Sequence, residues 1–252
     1  MDLGQVCLLL AAGLAAGSVN ALAGGGSLIT FPALVTIGLP PVTANVTNSI
    51  SVCPGYLAAV AASRADLAGQ RRRALSLTPV AVLGTACGAA LLLLTPAAAF
   101  EAVVPFLVIG AAQVLAFQTQ IRKLVGHPHS MSPRRRNLSL QLLAGIGCVY
   151  GGYFGAALGV MMVACLALVL DETLARISAL KNSVSATVGV VTIVIYSAFA
   201  PVEWAAVAVV APSTLVGGYL GAKLARVLPQ KVLRAFIVTF GLVIGVYLYL
   251  FK

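Results

Sequence analysis

The stretch Asn20-Ala21-Leu22-Ala23-Gly24-Gly25-Gly26-Ser27 interrupts an apolar run that extends from Leu3 to Leu39. One straight helix over that run would be about 55 Å long at 1.5 Å per residue. The hydrocarbon core of a bilayer is about 30 Å thick, so a single span does not fit. Three consecutive glycines are also poor helix interior, each costing up to about 1 kcal/mol relative to Ala. The run therefore reads as two half-helices that meet at an unwound turn at membrane depth. Exposed backbone N–H groups at that depth are tolerated only against protein or a solvated cavity. A helix N-terminus aimed into such a cavity is an anion site. The competing role for the glycines is close helix packing through small residues.

The rest of the 252-residue chain has the same character. It is 60% hydrophobic and 9% charged, with mean hydropathy +1.04. That composition belongs to an all-α polytopic membrane protein, embedded in a lipid bilayer, with no room for a separate soluble domain. The net charge of +10 raises the question of nucleic acid. However, the basic residues cluster at the ends of apolar segments without interleaved aromatics, so retention of loops on the cytoplasmic side explains them better and no nucleic-acid partner is expected. Met1-Asp2-Leu3-Gly4 lacks the basic start of a secretory signal peptide. Cys7, Cys53, Cys87, Cys148 and Cys165 fall singly within apolar segments, with no C-x-x-C pair and no zinc spacing. They read as buried small hydrophobes, and neither a metal nor a cofactor is expected.

Eight apolar segments follow one another: 3–39 (broken), 42–63, 74–94, 100–118, 138–170 (broken), 177–199, 203–225 and 231–251. Helix stops sit between them at Pro40-Pro41, Pro96, Pro201 and Pro229. Continuous runs of about 20 residues, rather than alternation over ten, exclude a barrel of strands. The longest polar stretch, 119–137, reads as a linker within a single transmembrane domain covering 1–252. His127 and His129 lie in it without a third metal ligand nearby, so a solvated loop is expected.

The two sides of the linker are related. Shifting the sequence by 134 residues brings Gly13 onto Gly147, Gly17 onto Gly151, Gly25 onto Gly159, Asn48 onto Asn182, Ser49 onto Ser183, Ser51 onto Ser185 and Gly55 onto Gly189. Between Leu8 and Val60, 14 of 53 positions are identical, where this composition alone would give roughly one in ten. A shift of 133 brings Gly84, Gly88 and Pro96 onto Gly217, Gly221 and Pro229. Repeat 1 is thus 3–118 and repeat 2 is 138–252, and Gly151-Gly152-Tyr153-Phe154-Gly155-Ala156-Ala157-Leu158-Gly159 is the partner of the first break. Interrupted apolar segments at matching positions in two halves point to the binding site of a transporter.

At these motifs the chain resembles the sulfite exporter TauE/SafE family of membrane transporters. The matching features are Asn20 with Gly24-Gly25-Gly26, Phe31-Pro32, Ala44-Asn45-Val46-Thr47-Asn48, Tyr150-Gly151-Gly152-Tyr153-Phe154-Gly155, Lys181-Asn182 and Gly217-Gly218-Tyr219-Leu220-Gly221-Ala222. The resemblance covers essentially the whole chain. It implies a multi-pass carrier of the bacterial inner membrane that exports sulfite or small sulfonated or carboxylated organic anions.

The candidate substrate-binding residues are Asn20, Gly24, Gly25, Gly26, Asn48 and Ser49 in the first half, facing Gly151, Gly152, Gly155, Lys181, Asn182 and Ser183 in the second. The Asn and Ser side chains can donate hydrogen bonds to an oxyanion without a fixed charge; the alternative is hydrogen bonding between helices. Lys181 either supplies a positive charge or anchors a helix end at the interface. Asp2, Asp66, Glu101, Asp171, Glu172 and Glu203 all lie near segment ends or in loops, so no buried carboxylate relay is evident. Uniport driven by the membrane potential is adequate, and proton coupling stays open. Three classes are compared: a secondary anion carrier, an anion channel and an intramembrane enzyme. A channel lacks a filter signature, and catalysis lacks a nucleophile–base pair or metal cluster, which leaves the carrier working by alternating access. The substrate and the oligomeric state, homo-oligomer included, are left open.

Charge counting separates two topologies. If all eight segments cross once with the N-terminus inside, ten Lys/Arg are cytoplasmic and six external, in poor agreement with the positive-inside rule. If each broken segment instead enters and returns as a re-entrant hairpin, each half crosses three times and the second half is inverted. The loops 64–73, 119–137, 171–181 and 223–234 then all lie inside, and fifteen of sixteen Lys/Arg are cytoplasmic.

Overall fold

The computed structural model describes residues 1–22, 24–124, 132–156 and 158–224, together with Thr239. Among these the regular structure is entirely α-helical. The first half comprises α1 (Leu3–Leu22), α2 (Ser27–Thr36), α3 (Pro41–Ala62), the short α4 (Arg64–Leu67), α5 (Arg71–Leu94) and α6 (Ala97–Leu124). The second half comprises α7 (Pro133–Tyr153), α8 (Leu158–Val169), α9 (Leu174–Phe199) and α10 (Trp204–Leu224). Four stretches, within α1, α5, α9 and α10, are long and apolar enough to cross a membrane. Their outer faces expose Leu10, Leu14, Leu83, Leu91, Val194 and Leu215, an arrangement that water penalises and lipid does not.

Both glycine-rich breaks are present, and the chain doubles back at each. Gly26 lies so close to Ala16 that a Cβ there would come within 2.1 Å of the Ala16 carbonyl, so α2 returns along α1. In the second half Gly151 faces Leu158 and Gly147 faces Met162, which sets α8 antiparallel to α7. Each apparent long segment is therefore two antiparallel helices rather than one straight rod. Fifteen to thirty ångströms of helix fit on each side of the turn, where a single rod would not.

Each hairpin packs into the opposite half. Along α1, Gly13 faces Ser213 and Gly17 faces Thr214 and Gly218, while Ser18 lies against Gly221, so α1 and α10 run parallel. The counterpart pair is α7 and α5: Gly84 faces Gly145 and Cys148, and Gly88 faces Val149 and Tyr153. These glycines remove side chains where backbones touch, which is the usual basis of helix contact in lipid. Between them, α3 and α9 cross in opposite directions. Glu203 N donates to Thr47 Oγ1 (3.0 Å), Gly189 faces Cys53, and Arg176 Nη1 donates to the Ala68 carbonyl (3.2 Å). Helix α3 is the central element: Ala44 through Cys53 is buried without interruption although it carries Asn45, Thr47, Asn48, Ser49 and Ser51.

The structure departs from several sequence expectations. The stretch 119–137 is helical at both ends, because α6 runs to Leu124 and α7 starts at Pro133 behind Ser132, whose hydroxyl caps Arg135 N. Residues 125–131, with His127 and His129, lie outside the described residues, as does the eighth apolar segment apart from Thr239. Cys53 and Cys148 are buried, but Cys7 and Cys87 are exposed on outward faces, where lipid accommodates a thiol as readily as a core does. Lys181 is neither a loop residue nor an interfacial anchor; it is wholly buried in α9.

Close helix contact makes a sharp forecast. A Cβ on Gly88 would lie 1.9 Å from the Val149 carbonyl, whereas nothing lies within 4 Å of one on Gly110. In detergent, Gly88→Ala is expected to lower the melting temperature by several degrees and reduce monodisperse yield, and Gly110→Ala to leave both unchanged; equal behaviour would show that the α5–α7 contact is loose.

Candidate functional site

A helix that ends inside a membrane leaves its last carbonyls without partners, and each must be satisfied or cost several kcal/mol. At the first break, the Asn20 carbonyl accepts from Lys181 Nζ at 2.5 Å. The Asn20 side chain turns forward, and its Oδ1 accepts from Gly26 N at 2.8 Å, capping the start of α2. Gly24 takes φ +89° in this turn, a left-handed value that glycine adopts without strain. At the second break, Tyr196 Oη donates to the Gly152 carbonyl, and Asn45 Nδ2 donates to the Tyr153 carbonyl at 3.0 Å. Tyr150 Oη closes the turn by donating to the Ala156 carbonyl at 2.6 Å, and Gly155 sits at φ +73°. Phe154 packs edge-on against Phe31, with ring centroids 5.3 Å apart, tying the second turn to α2. The two turns also touch directly through Gly24 and Gly159, where a Cβ on either would come within 2.4 Å of the other's backbone.

A small cavity lies beside this contact, at the crossing of α3 and α9. It is lined by Ser27, Asn48, Ser49, Val52 and Tyr56 from the first half and by Gly151, Gly155, Leu158, Val188, Gly189 and Thr192 from the second. Ser27 and Leu158 are the first residues of α2 and α8, so both returning half-helices present their N-termini, the positive ends of their dipoles, to the cavity. Among the described residues, no acidic side chain lines it. Asn48 Oδ1 is occupied by the Thr30 hydroxyl (2.5 Å), which leaves the Asn48 amide N–H groups for the cavity. Ser49 Oγ and Thr192 Oγ1 turn back to the carbonyls of Asn45 and Gly189, at 2.9 Å each. Ser27 and Tyr56 have no hydrogen-bond partner for their hydroxyls among the described residues. The space amounts to about 20 Å³, room for roughly one water and less than a multi-atom anion requires.

Of the residues expected at the site, Asn48, Ser49, Gly151 and Gly155 are brought together here. The others are placed differently. Asn20 and Gly26 form the turn behind the cavity, Gly24 packs on Gly159, and Gly152 packs on Thr85 and Ala89 of α5. Gly25 belongs to the same turn, its carbonyl accepting from Leu28 N at 3.1 Å. Asn182 is buried with its Oδ1 unpartnered, and Ser183 accepts at its carbonyl from Thr187; neither side chain lines the cavity. Ser27, Tyr56 and Thr192 were not anticipated. Their signal was helical spacing: 48, 49, 52 and 56 share one face of α3, and 188, 189 and 192 share one face of α9.

The family model described as Sulfite exporter TauE/SafE matches residues 9–248. The chain belongs to this family. It is 27% identical to a probable membrane transporter protein of Haemophilus influenzae, over 94% of this chain and 92% of that one. It is also 27% identical to the probable membrane transporter protein YfcA of Escherichia coli K12, covering 88% of this chain and 81% of the relative. A probable membrane transporter protein, ORF9, of Sinorhizobium sp. is 29% identical over 61% of this chain and 58% of its own length. No solved structure matches the chain. Family and helices together make it a multi-pass protein of the bacterial inner membrane.

In this TauE/SafE protein a charged cluster closes one end of the α3–α9 crossing. Glu172 pairs with Arg73 (3.2 Å) from the first half and with Arg176 (2.7 Å) from its own. Gln70 Nε2 donates to the Arg176 carbonyl at 3.0 Å, adding a second link between halves. Partial burial works to raise the Glu172 pKa, but hydrogen bonds and charge from Arg176 and Arg73 outweigh it and hold the carboxyl below its usual range. A lowered folded-state value means stability that is present above the unfolded pKa and lost as pH falls through the folded one. Glu172→Gln is expected to melt earlier than wild type at pH 7, with the gap narrowing below about pH 4 and shrinking in high salt. A gap that is constant with pH would assign the loss to packing.

Proposed function

We propose that the protein is a secondary carrier that exports a small oxyanion, such as sulfite or an organosulfonate, by alternating access. The anion would bind in the cavity at the α3–α9 crossing. The observation that carries this reading is the convergence of two half-helix N-termini on a cavity with neutral donors and no acid. An oxyanion there would accept from the Asn48 amide and from the Ser27 and Tyr56 hydroxyls. Ser49 and Thr192 would rotate their hydroxyls to join, exchanging a backbone partner for a charged one. A neutral donor set holds an anion weakly enough to release it, which transport requires.

Alternating access is supported by the relation between halves. Helices α3 and α9 align by the repeat yet cross antiparallel, the relation expected of an inverted pair. On this reading the loops bearing Arg64, Arg71–Arg73, Arg134–Arg136 and Arg176 are cytoplasmic, and the uncharged connections 37–40 and 95–96 are external. The Arg73–Glu172–Arg176 cluster then bridges the halves on the cytoplasmic side, and the cavity is too small for its cargo until the halves separate. The membrane potential drives export, supplying about 2.3 kcal/mol per elementary charge per 100 mV.

Proteoliposomes loaded with labelled sulfite, thiosulfate, sulfoacetate or small carboxylates test the function. Saturable anion flux is expected, lost in Gly155→Val with the protein still folded, because that side chain would stand in the cavity at a left-handed position. Flux linear in concentration would indicate a channel, and transport confined to cations or neutral solutes would refute the proposal. Single cysteines in a cysteine-free background test the orientation. From outside, positions 69 and 174 should resist an impermeant reagent and position 97 should react; the reverse pattern would invert the topology.

A further inference from the structure

Lys181 sits apart from the cavity. It is 0% exposed, in the second turn of α9, and has no acidic partner among the described residues. One of its three N–H groups reaches the Asn20 carbonyl at 2.5 Å. That contact explains the lysine only in part, because a cation at the C-terminal end of α1 complements the last carbonyls and the negative end of the dipole. The second observation concerns Asn20 itself. Its Oδ1 is fixed by Gly26 N, which identifies Nδ2 as the remaining side-chain atom, and Nδ2 is buried without a hydrogen-bond partner among the described residues. A buried ammonium with N–H groups to spare thus adjoins a buried amide with none of its donors used. The N-terminus of α2, capped by the same Asn20, adds a third positive element. Among the described residues these donors meet one acceptor, the Asn20 carbonyl, and the rest go unanswered, an arrangement that is costly unless something negative completes it.

We propose that Lys181 Nζ and Asn20 Nδ2 form a second oxyanion station, lying between the cavity and the end of the molecule closed by Glu172. Lys181 and Gly189 are eight residues apart on α9, about 12 Å at 1.5 Å per residue. Neither Lys181 nor Asn20 lines the cavity, so the station is a separate stop. It connects to the cavity through the α2 N-terminus, since Asn20 holds Gly26 and the next residue, Ser27, lines the cavity. Because the lysine lies on the Arg73–Glu172–Arg176 side, it is where an outgoing anion first meets a desolvated positive charge. This inference rests on the anion-carrier reading and adds a selectivity step to it: entry requires charge, while the cavity beyond offers only neutral donors.

The test uses Asn20→Asp, a nearly isosteric change. The carboxylate keeps an oxygen for Gly26 N, replaces the unused donor by an acceptor, and neutralises Lys181 in place of the cargo. Purified full-length protein is melted with and without sulfite, thiosulfate, sulfoacetate, acetate or chloride, and the same variants are reconstituted for flux. Wild type is expected to gain several degrees with an oxyanion. Asn20→Asp should melt no lower than wild type without anion, should lose the anion-dependent gain, and should show a rise of about tenfold or more in KM, the scale of losing one buried charged contact. Lys181→Arg should retain part of the gain and Lys181→Met none. A purely structural lysine predicts the opposite: Asn20→Asp would keep both the thermal gain and the wild-type KM, and the station would be refuted. Absence of a thermal gain in wild type would also refute it. Saturable wild-type flux with an unchanged Asn20→Asp removes the station and leaves the carrier standing. A thermal gain abolished by Asn20→Asp, without any anion flux, removes the carrier and leaves the station.

Discussion

The hydrogen bond from Lys181 Nζ to the Asn20 carbonyl shows the constraint that governs the molecule: a helix broken inside a packed interior must find partners for its end on other helices. Each such group left unmade would cost several kcal/mol in hydrocarbon, comparable to the whole stability of a domain once a few accumulate. The first break is closed by α9 through Lys181 and by its own Asn20. The second is closed by α3 through Asn45 and by α9 through Tyr196. The polar residues of α3 are satisfied inside the protein: Asn45 serves the second break, Thr47 and Asn48 accept from Glu203 N and the Thr30 hydroxyl, and Ser49 and Ser51 bond carbonyls of α3 itself. Glycines on α5, α7 and α10 let the hairpins come close enough for these bonds to form.

The same arrangement places the chemistry. Once the chain reverses at both breaks, the N-termini of α2 and α8 have to face inward, and their meeting leaves the cavity between the halves. The positive ends of two helices point toward it. Among the described residues, the one wholly buried cation, Lys181, stands outside the cavity, at the end of α1.

Much of this was legible in the chain. The Leu3–Leu39 run against bilayer thickness required a break, and Gly24-Gly25-Gly26 said where. The 134-residue repeat identified the second break at 151–159. Counting basic residues favoured hairpins over straight spans; the structure shows the chain reversing at Gly26 and at Gly151. Four of the twelve expected site residues line the cavity. The residues that stand elsewhere do so for different reasons. Asn182 and Ser183 were placed by repeat equivalence, but the repeats are not equivalent at this level: Asn48 meets the Thr30 hydroxyl, whereas the position matching Thr30 in the second half is Ala164, which offers no hydroxyl. Lys181 was counted with a loop because charge at the edge of an apolar segment usually means an interface; only the tertiary contact with Asn20 reveals it as buried. Ser27, Tyr56 and Thr192 were hidden because each is unremarkable alone and matters only where α2, α3 and α9 converge.

The central claim is that an oxyanion occupies the cavity where the α2 and α8 N-termini meet. Selenite is close to sulfite in shape and charge, and its selenium can be located directly. A structure of the protein with selenite, determined with anomalous scattering, should place selenium within hydrogen-bonding reach of Asn48, Ser27 and Tyr56, with the α3–α9 crossing widened around it. Selenium found only on the outer surface, with the cavity still closed, would contradict the account.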